Sequence, residues 1–181
     1  MGWSVVLQTF NKCYVSLSNN FIFLINKQCL QETCILLKIH AAMWLIAEDL
    51  FWGPEWDMWI LNGYTSWLEL PYDNMGTHLC FGEFPDQKWK NNWLERFCDT
   101  YICEEWHTYG FEWTDTEAKW FVDGELVHEL SIEQLGDNMD LWPNEEMYMY
   151  LNNGAFTAAP DETTVWPNYV KLDYVRLYKK T

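Results

Sequence analysis

The stretch "WHTYGFEWTDTEAKWFVDGELVHEL", residues 106–130, decides the fold. "WHTYGFEWT" (106–114) alternates with the period of two that puts successive side chains on opposite faces of a strand. A turn at Asp115-Thr116-Glu117 leads into "AKWFVDG", and Asp123-Gly124 is a hairpin signal before "ELVHEL". Strand, turn, strand, turn, strand predicts an antiparallel meander.

The pattern extends in both directions. "EEMYMYLNNGAF" (145–156) reads as a strand followed by an Asn-Asn-Gly loop, and "NYVKLDYVRLYKK" (168–180) alternates cleanly as a final strand. Upstream, "CYVSLSNNFIFLIN" (13–26) predicts two short strands around a Ser-Asn-Asn turn, and "THLCFGE" (77–83) is a further strand. "CILLKIHAAMWLIAEDL" (34–50) is apolar without a clean period and fits a buried strand or a helix. Only "SIEQLGD" (131–137) and "DQKWKNNWLERFCD" (86–99) read as helical, the latter from Trp89, Trp93 and Phe97 at spacings of four. Many short strands separated by turns predict an all-β, two-sheet antiparallel sandwich of jelly-roll type. A curved sheet in such a fold offers a concave groove suited to a polymer. No repeat, low-complexity tract or linker divides the chain, so one domain over 1–181 is expected.

Composition narrows the partners. The net charge is −16, and residues 1–50 sum to zero, with Lys12, Lys27 and Lys38 against Glu32, Glu48 and Asp49. The excess therefore lies in 51–181, a surface that repels nucleic acid and anionic membrane but tolerates a neutral polymer. No run reaches the roughly 18–20 apolar residues of a membrane-spanning helix. The N-terminus lacks the basic start and long apolar run of a secretory signal. Of the six cysteines, Cys29/Cys34 and Cys98/Cys103 are spaced C-x4-C without companion histidines, which argues against zinc and leaves disulfides or buried thiols open. Aromatic residues make up 18% of the chain, more than a core requires, so some are expected to face a ligand. A monomer is the default expectation.

The chemistry concentrates in "WGPEWDMWILNGY" (52–64). On a regular strand Glu55, Asp57 and Trp59 share one face, while Trp56, Met58 and Ile60 share the other. Two acids two residues apart lie about 7 Å apart at the backbone, from a rise of roughly 3.3 Å per residue. Acids beside aromatic rings point to carbohydrate. Trp52 and Trp59 are the expected sugar-stacking rings, since three tryptophans in eight residues cannot all point inward under strict alternation.

The segments 106–130, "TTVWPNYVKLDYVRLYKK" and "HAAMWLIAEDLFWGPEWDM" resemble, in the same order, those of glycoside hydrolase family 16, the laminarinase, lichenase and agarase group. The resemblance covers about residues 40–181 and is weak over 1–39. It implies a concanavalin A-like jelly roll, an extracellular setting and hydrolysis of O-glycosidic bonds in a β-linked glucan or related polysaccharide by a retaining mechanism.

That family carries Glu-x-Asp-x-x-Glu, or Glu-x-Asp-x-Glu, on a strand of the concave sheet. The resemblance makes Glu55 the nucleophile and Asp57 the residue that holds the network between the two acids. The acid/base position falls on Ile60 in one register and Trp59 in the other, and neither moves a proton. Retaining glycosidases place their two carboxyls about 5 to 5.5 Å apart. A replacement acid would have to come from Glu69, Glu83 or Glu112. Otherwise the chain is a polysaccharide-binding protein that kept the groove and lost the chemistry.

By the same resemblance His78 is a cleft hydrogen-bonding residue, although Cys80 also falls near that position and a structural histidine is the alternative. Asn152 is assigned to sugar hydroxyls, against a local turn role. No cofactor is implied for catalysis. A structural calcium is allowed at the strand carrying Asp173, with its other ligands unassigned.

Overall fold

The computed structural model describes residues 3–4, 21–30, 40–49, 52–62, 75–94, 106–154, 162 and 169–179. Eleven strands lie among them: β1 (Trp3–Ser4), β2 (Phe21–Leu30), β3 (His40–Ala47), β4 (Glu55–Asn62), β5 (Met75–Phe81), β6 (Lys88–Leu94), β7 (Trp106–Trp113), β8 (Glu117–Val122), β9 (Glu125–Ser131), β10 (Met147–Gly154) and β11 (Tyr169–Lys179). A six-stranded sheet runs β1-β11-β2-β7-β8-β9 and a five-stranded sheet runs β10-β3-β4-β5-β6, with every pairing antiparallel. The all-β, two-sheet sandwich is thus the observed architecture.

The meander forms as read. β7 pairs β8 and β8 pairs β9, and the hairpin turn places Asp123 and Gly124 at φ 51° and 86°, a left-handed conformation that suits a Gly at the second position. Asp123 also anchors the turn to β7: its carboxylate accepts from the Thr108 N–H at 2.8 Å and pairs with His107 Nδ1 at 2.7 Å. His107 is buried in this structural role. The segment after β9 is an irregular 3-10 helix, Ile132–Leu141, whose entry is held by Gln134 Oε1 accepting from the Ser131 N–H at 2.7 Å.

Three segments differ from expectation. Residues 88–94 form a strand, not a helix, paired with β5 from Met75↔Leu94 to Phe81↔Lys88. Trp89 and Trp93 are four apart, a spacing that returns to the same face in a helix and equally in a strand, where two divides four. The open ladder edge of β5 selects the strand. The ambiguous apolar run resolves as β3, and Asn152, Asn153 and Gly154 continue β10 opposite Ala42, Ala41 and His40 instead of forming a loop. The Ser-Asn-Asn turn near residue 18, Phe97, and five of the six cysteines' side chains fall outside the described residues or side chains.

Between the sheets lies an aromatic core. Trp56 from the five-stranded sheet meets Phe111, Trp113 and Trp120 from the other, with ring centroids 5.7, 6.1 and 5.8 Å away, and Trp142 closes over it at 5.2 Å. Trp56, Trp59, Trp113, Trp120 and Trp142 are all buried, so much of the aromatic excess serves packing. The indole N–H groups of Trp113 and Trp142 donate to the Pro143 and Thr114 carbonyls, each at 3.0 Å, so these two polar edges do not oppose burial.

Candidate functional site

β4 is bulged, and the bulge arranges the site. Against β3, Asp57 pairs with Trp44 but Trp59 pairs with Met43, so one extra residue, Met58, is inserted. Against β5 the register likewise jumps from Asp57↔His78 to Ile60↔Gly76. The Asp57 carbonyl turns toward the core, where the Trp120 indole N–H donates to it at 3.0 Å. An inserted residue inverts the alternation that follows it.

Trp59 therefore does not share the acids' face. It is 1% exposed and packs on Tyr109 of the opposite sheet at 5.5 Å, which corrects its assignment as a sugar-stacking ring. Ile60 takes the third position beside Glu55 and Asp57.

Cross-strand partners share a face, so the register defines three rows across the outer side of the five-stranded sheet. The first is Tyr148, Ile46, Glu55, Cys80 and Trp89; the second is Tyr150, Trp44, Asp57, His78 and Asn91; the third includes Asn152, Ala42, Ile60 and Gly76. Glu55 and Asp57 are the only acids on the described strands of this sheet.

The two carboxyls are hydrogen-bonded to each other. Burial, then the charge of Glu55, then their hydrogen bond hold the Asp57 carboxyl well above the ordinary carboxylate range. Glu55 is also raised by burial, but the bonds from Asp57 and from Trp52 work in the opposite direction. Trp52 Nε1 donates to Glu55 Oε2 at 3.0 Å.

Their neighbours are neutral. His78, opposite Asp57 and buried, is lowered to about 4 by burial and then by His128. Cys80, opposite Glu55, is a buried free thiol pushed up to about 12 by burial, then by Glu55 and Asp57. It is an inert thiol.

Aromatic rings flank the acids. On one side Trp52 stacks near Phe84 at 6.5 Å and meets Trp89 edge-on at 6.2 Å, all three exposed. The Trp52 loop is held by Gln87 Nε2, which donates to the Trp52 carbonyl at 3.0 Å, and by Gly53, where a Cβ would stand 2.2 Å from the Gly82 carbonyl oxygen. On the other side Trp44 stacks on Tyr150 at 4.8 Å and donates from Nε1 to Asn152 Oδ1 at 2.7 Å. Trp52, His78 and Asn152 thus lie at or on the acids' face. Trp44, Trp89 and Tyr150 were not singled out from sequence, because their meeting depends on strand register.

Of the three replacement acids, Glu69 lies outside the described residues and Glu83 is in the exposed turn after β5. Glu112 alternates with the buried Phe111 and Trp113 on β7 and stands opposite Lys119, on the outer side of the other sheet. The core separates it from Glu55. Asp173 is exposed at a bulge of β11, and among the described residues no group of three or more His, Cys, Asp or Glu converges to hold a metal. No described helix is long and apolar enough to cross a membrane.

With the rows in place, the likeness to known proteins falls into register. The family model for glycosyl hydrolases family 16 matches residues 95–176. Over 156 residues the chain is 24% identical to the glucan endo-1,3-beta-glucosidase A1 of Niallia circulans, covering 78% of this chain and 22% of that protein. Two solved structures share the fold: the endo-beta-1,3-glucanase from Pyrococcus furiosus, with TM-score 0.69, 22% identity and coverage of 91% of this chain and 63% of that one, and the laminarinase catalytic domain from Thermotoga maritima MSB8, with TM-score 0.70, 22% identity and coverage of 92% and 66%. The chain spans between 22% and 29% of the length of the curated relatives it matches. It is family 16-like in sequence, with the two-sheet jelly roll of those glucanases, and its likeness is to hydrolases of β-glucans.

Proposed function

We propose that residues 1–181 form one sandwich domain that binds a β-linked glucan across the outer face of the five-stranded sheet. Glu55 stands as the nucleophile of a retaining site and Asp57 as its proton-holding partner. The observation that carries this reading is the Glu55 carboxyl, bonded to Asp57 and Trp52, set between the Trp44/Tyr150 stack and the Trp52/Phe84/Trp89 cluster. Ring faces on both sides suit successive sugars of a polymer, whose C–H groups pack on aromatic planes. Hydrolysis of an unactivated glucan is weak, because the third position on that face is Ile60 and general acid help typically contributes about 10²- to 10⁴-fold.

Laminarin, lichenan and agarose, each titrated while following tryptophan emission and new reducing ends, test this. A saturable emission change with laminarin or lichenan and few new ends is expected. Rapid release of ends that is lost in Glu55→Gln would favour a full hydrolase with an acid from another segment, and no response to any of the three would refute the groove.

A further inference from the structure

We infer that His128, on the edge strand β9 of the opposite sheet, positions the acid-bearing bulge of β4 through Trp120, and that protonating His128 weakens glucan binding. The inference rests on the proposed groove and adds a control point that lies outside the sugar-binding face.

A second bulge makes the contact. On β9 the register moves from Trp120↔His128 to Phe121↔Leu126, so Val127 is inserted and His128 falls across from Trp120 on the inward side of its sheet. The two rings stack with centroids 4.5 Å apart and planes at 21°, whereas Phe111 and Trp56 meet Trp120 at 50° and 58°. His128 thus sets the plane of the indole, and that plane aims the N–H that donates to the Asp57 carbonyl at 3.0 Å. The other contact of His128 reaches the same bulge from β5. Between Asp57↔His78 and Ile60↔Gly76, the β5 residue that faces Met58 and Trp59 is Thr77, and its Oγ1 lies 2.8 Å from His128 Nδ1. One side chain therefore braces both the donor to the bulge carbonyl and the strand opposite the bulge.

The bond to Thr77 has a direction that a proton reverses. Thr77 is fully buried, and its Oγ1 already accepts from Asn92 Nδ2 at 3.3 Å. With His128 neutral and its hydrogen on Nε2, Nδ1 accepts the Thr77 O–H. Protonation places a hydrogen on Nδ1, so the hydroxyl must turn and its own proton loses that acceptor in a place closed to water. Relief comes from withdrawing the ring from Thr77 or tilting it on Trp120, and either motion misdirects the indole N–H. Burial lowers His128 to about 4, in keeping with an imidazole held neutral. The charged and titratable groups on the elements packed around it are His78 of β5, which lies on the outer face, and Lys88 and Lys90 on the inward side of β6, where Lys88 donates to Asn138. Lys119 of β8 and Glu129 of β9 pair on the outer side of their own sheet, and Glu133 of the 3-10 helix is exposed.

The test follows three signals from neutral pH down through the His128 titration: the His128 ring and Trp120 indole N–H resonances by proton–nitrogen NMR, and laminarin affinity by tryptophan emission. Near-ultraviolet circular dichroism marks the range in which the chain stays folded, and the indole resonance is assigned by its loss in Trp120→Phe. Affinity is expected to fall about tenfold, a usual size for coupled sites, with one midpoint shared by all three signals. By reciprocity, saturating laminarin moves the His128 midpoint down by about one pH unit. Thr77→Val removes the bond that favours the neutral ring, so all three midpoints move up together, further into the folded range, and Thr77→Ser restores them. His128→Gln, which cannot titrate, loses the indole shift and flattens the affinity step. A His128 ring that titrates while the indole resonance stays still, or an affinity midpoint that does not follow the ring in Thr77→Val, overturns the inference and leaves the groove standing. A step of full size in His128→Gln also overturns it, by assigning the step to His78 or the acid pair. No laminarin binding by the parent chain at neutral pH refutes the groove, and the inference with it.

Discussion

At the scale of single residues the acid pair governs pH behaviour. Burial raises Glu55 and holds Asp57 well above its ordinary range in the folded chain, so the folded state holds protons that the unfolded chain releases. Stability from such groups is fully present below the unfolded pKa and is lost as pH rises through the folded one. Urea midpoints measured against pH should fall across that window, and Asp57→Asn, which cannot ionise, should flatten the fall. A second residue-scale expectation concerns Trp52. Trp52→Phe keeps the ring but removes the N–H on Glu55, so the Glu55 carboxyl should titrate at higher pH, read by carbon-detected NMR of the side chain.

At the scale of elements, the bulge of β4 rests on a bond from the other sheet. Trp120→Phe strips the indole N–H from the Asp57 carbonyl and leaves a buried acceptor unmade, at a cost of about 1–3 kcal/mol in urea unfolding. Laminarin affinity should fall with it, because the bulge is what turns Ile60 out and Trp59 in. The Trp52 loop is equally constrained. Gly53 has φ 97°, and a Cβ there would meet the Gly82 carbonyl at 2.2 Å, contact with backbone that cannot swing aside. Gly53→Ala should lower stability and displace Trp52, seen as a reduced emission change on laminarin binding. The pairing of acids two apart was legible from sequence as one face of a strand. The third position was not, since an inserted residue leaves no periodic mark until the partner strands reveal the register.

At the scale of the molecule, the sheets are joined by polar as well as aromatic contacts. Thr77 on β5 meets His128 Nδ1 on β9 at 2.8 Å, Asn92 Nδ2 donates to Thr77 Oγ1 at 3.3 Å, and the His128 ring stacks on Trp120 at 4.5 Å. Burial lowers His78 and His128 from 6.5 to about 4, so the folded state resists protons that the unfolded chain takes up. Stability is therefore lost as pH falls from about 6.5 toward 4, opposite in sign to the carboxyl effect. Midpoints of His128→Gln against pH should show a shallower acid limb than the parent chain, whereas Asp57→Asn should leave that limb in place.

Sequence by itself determined that the chain is built of strands and that Glu55 and Asp57 stand together, because strand alternation and turn chemistry are local properties of neighbouring residues. Tertiary structure alone decided that residues 88–94 are a strand, that Trp59 belongs to the core and Ile60 to the outer face, and that Trp44, Tyr150 and Trp89 flank the acids. Those outcomes depend on which ladder edge, carbonyl or ring waits across the sheet, and partners far apart in the chain leave no trace in the spacing of either one.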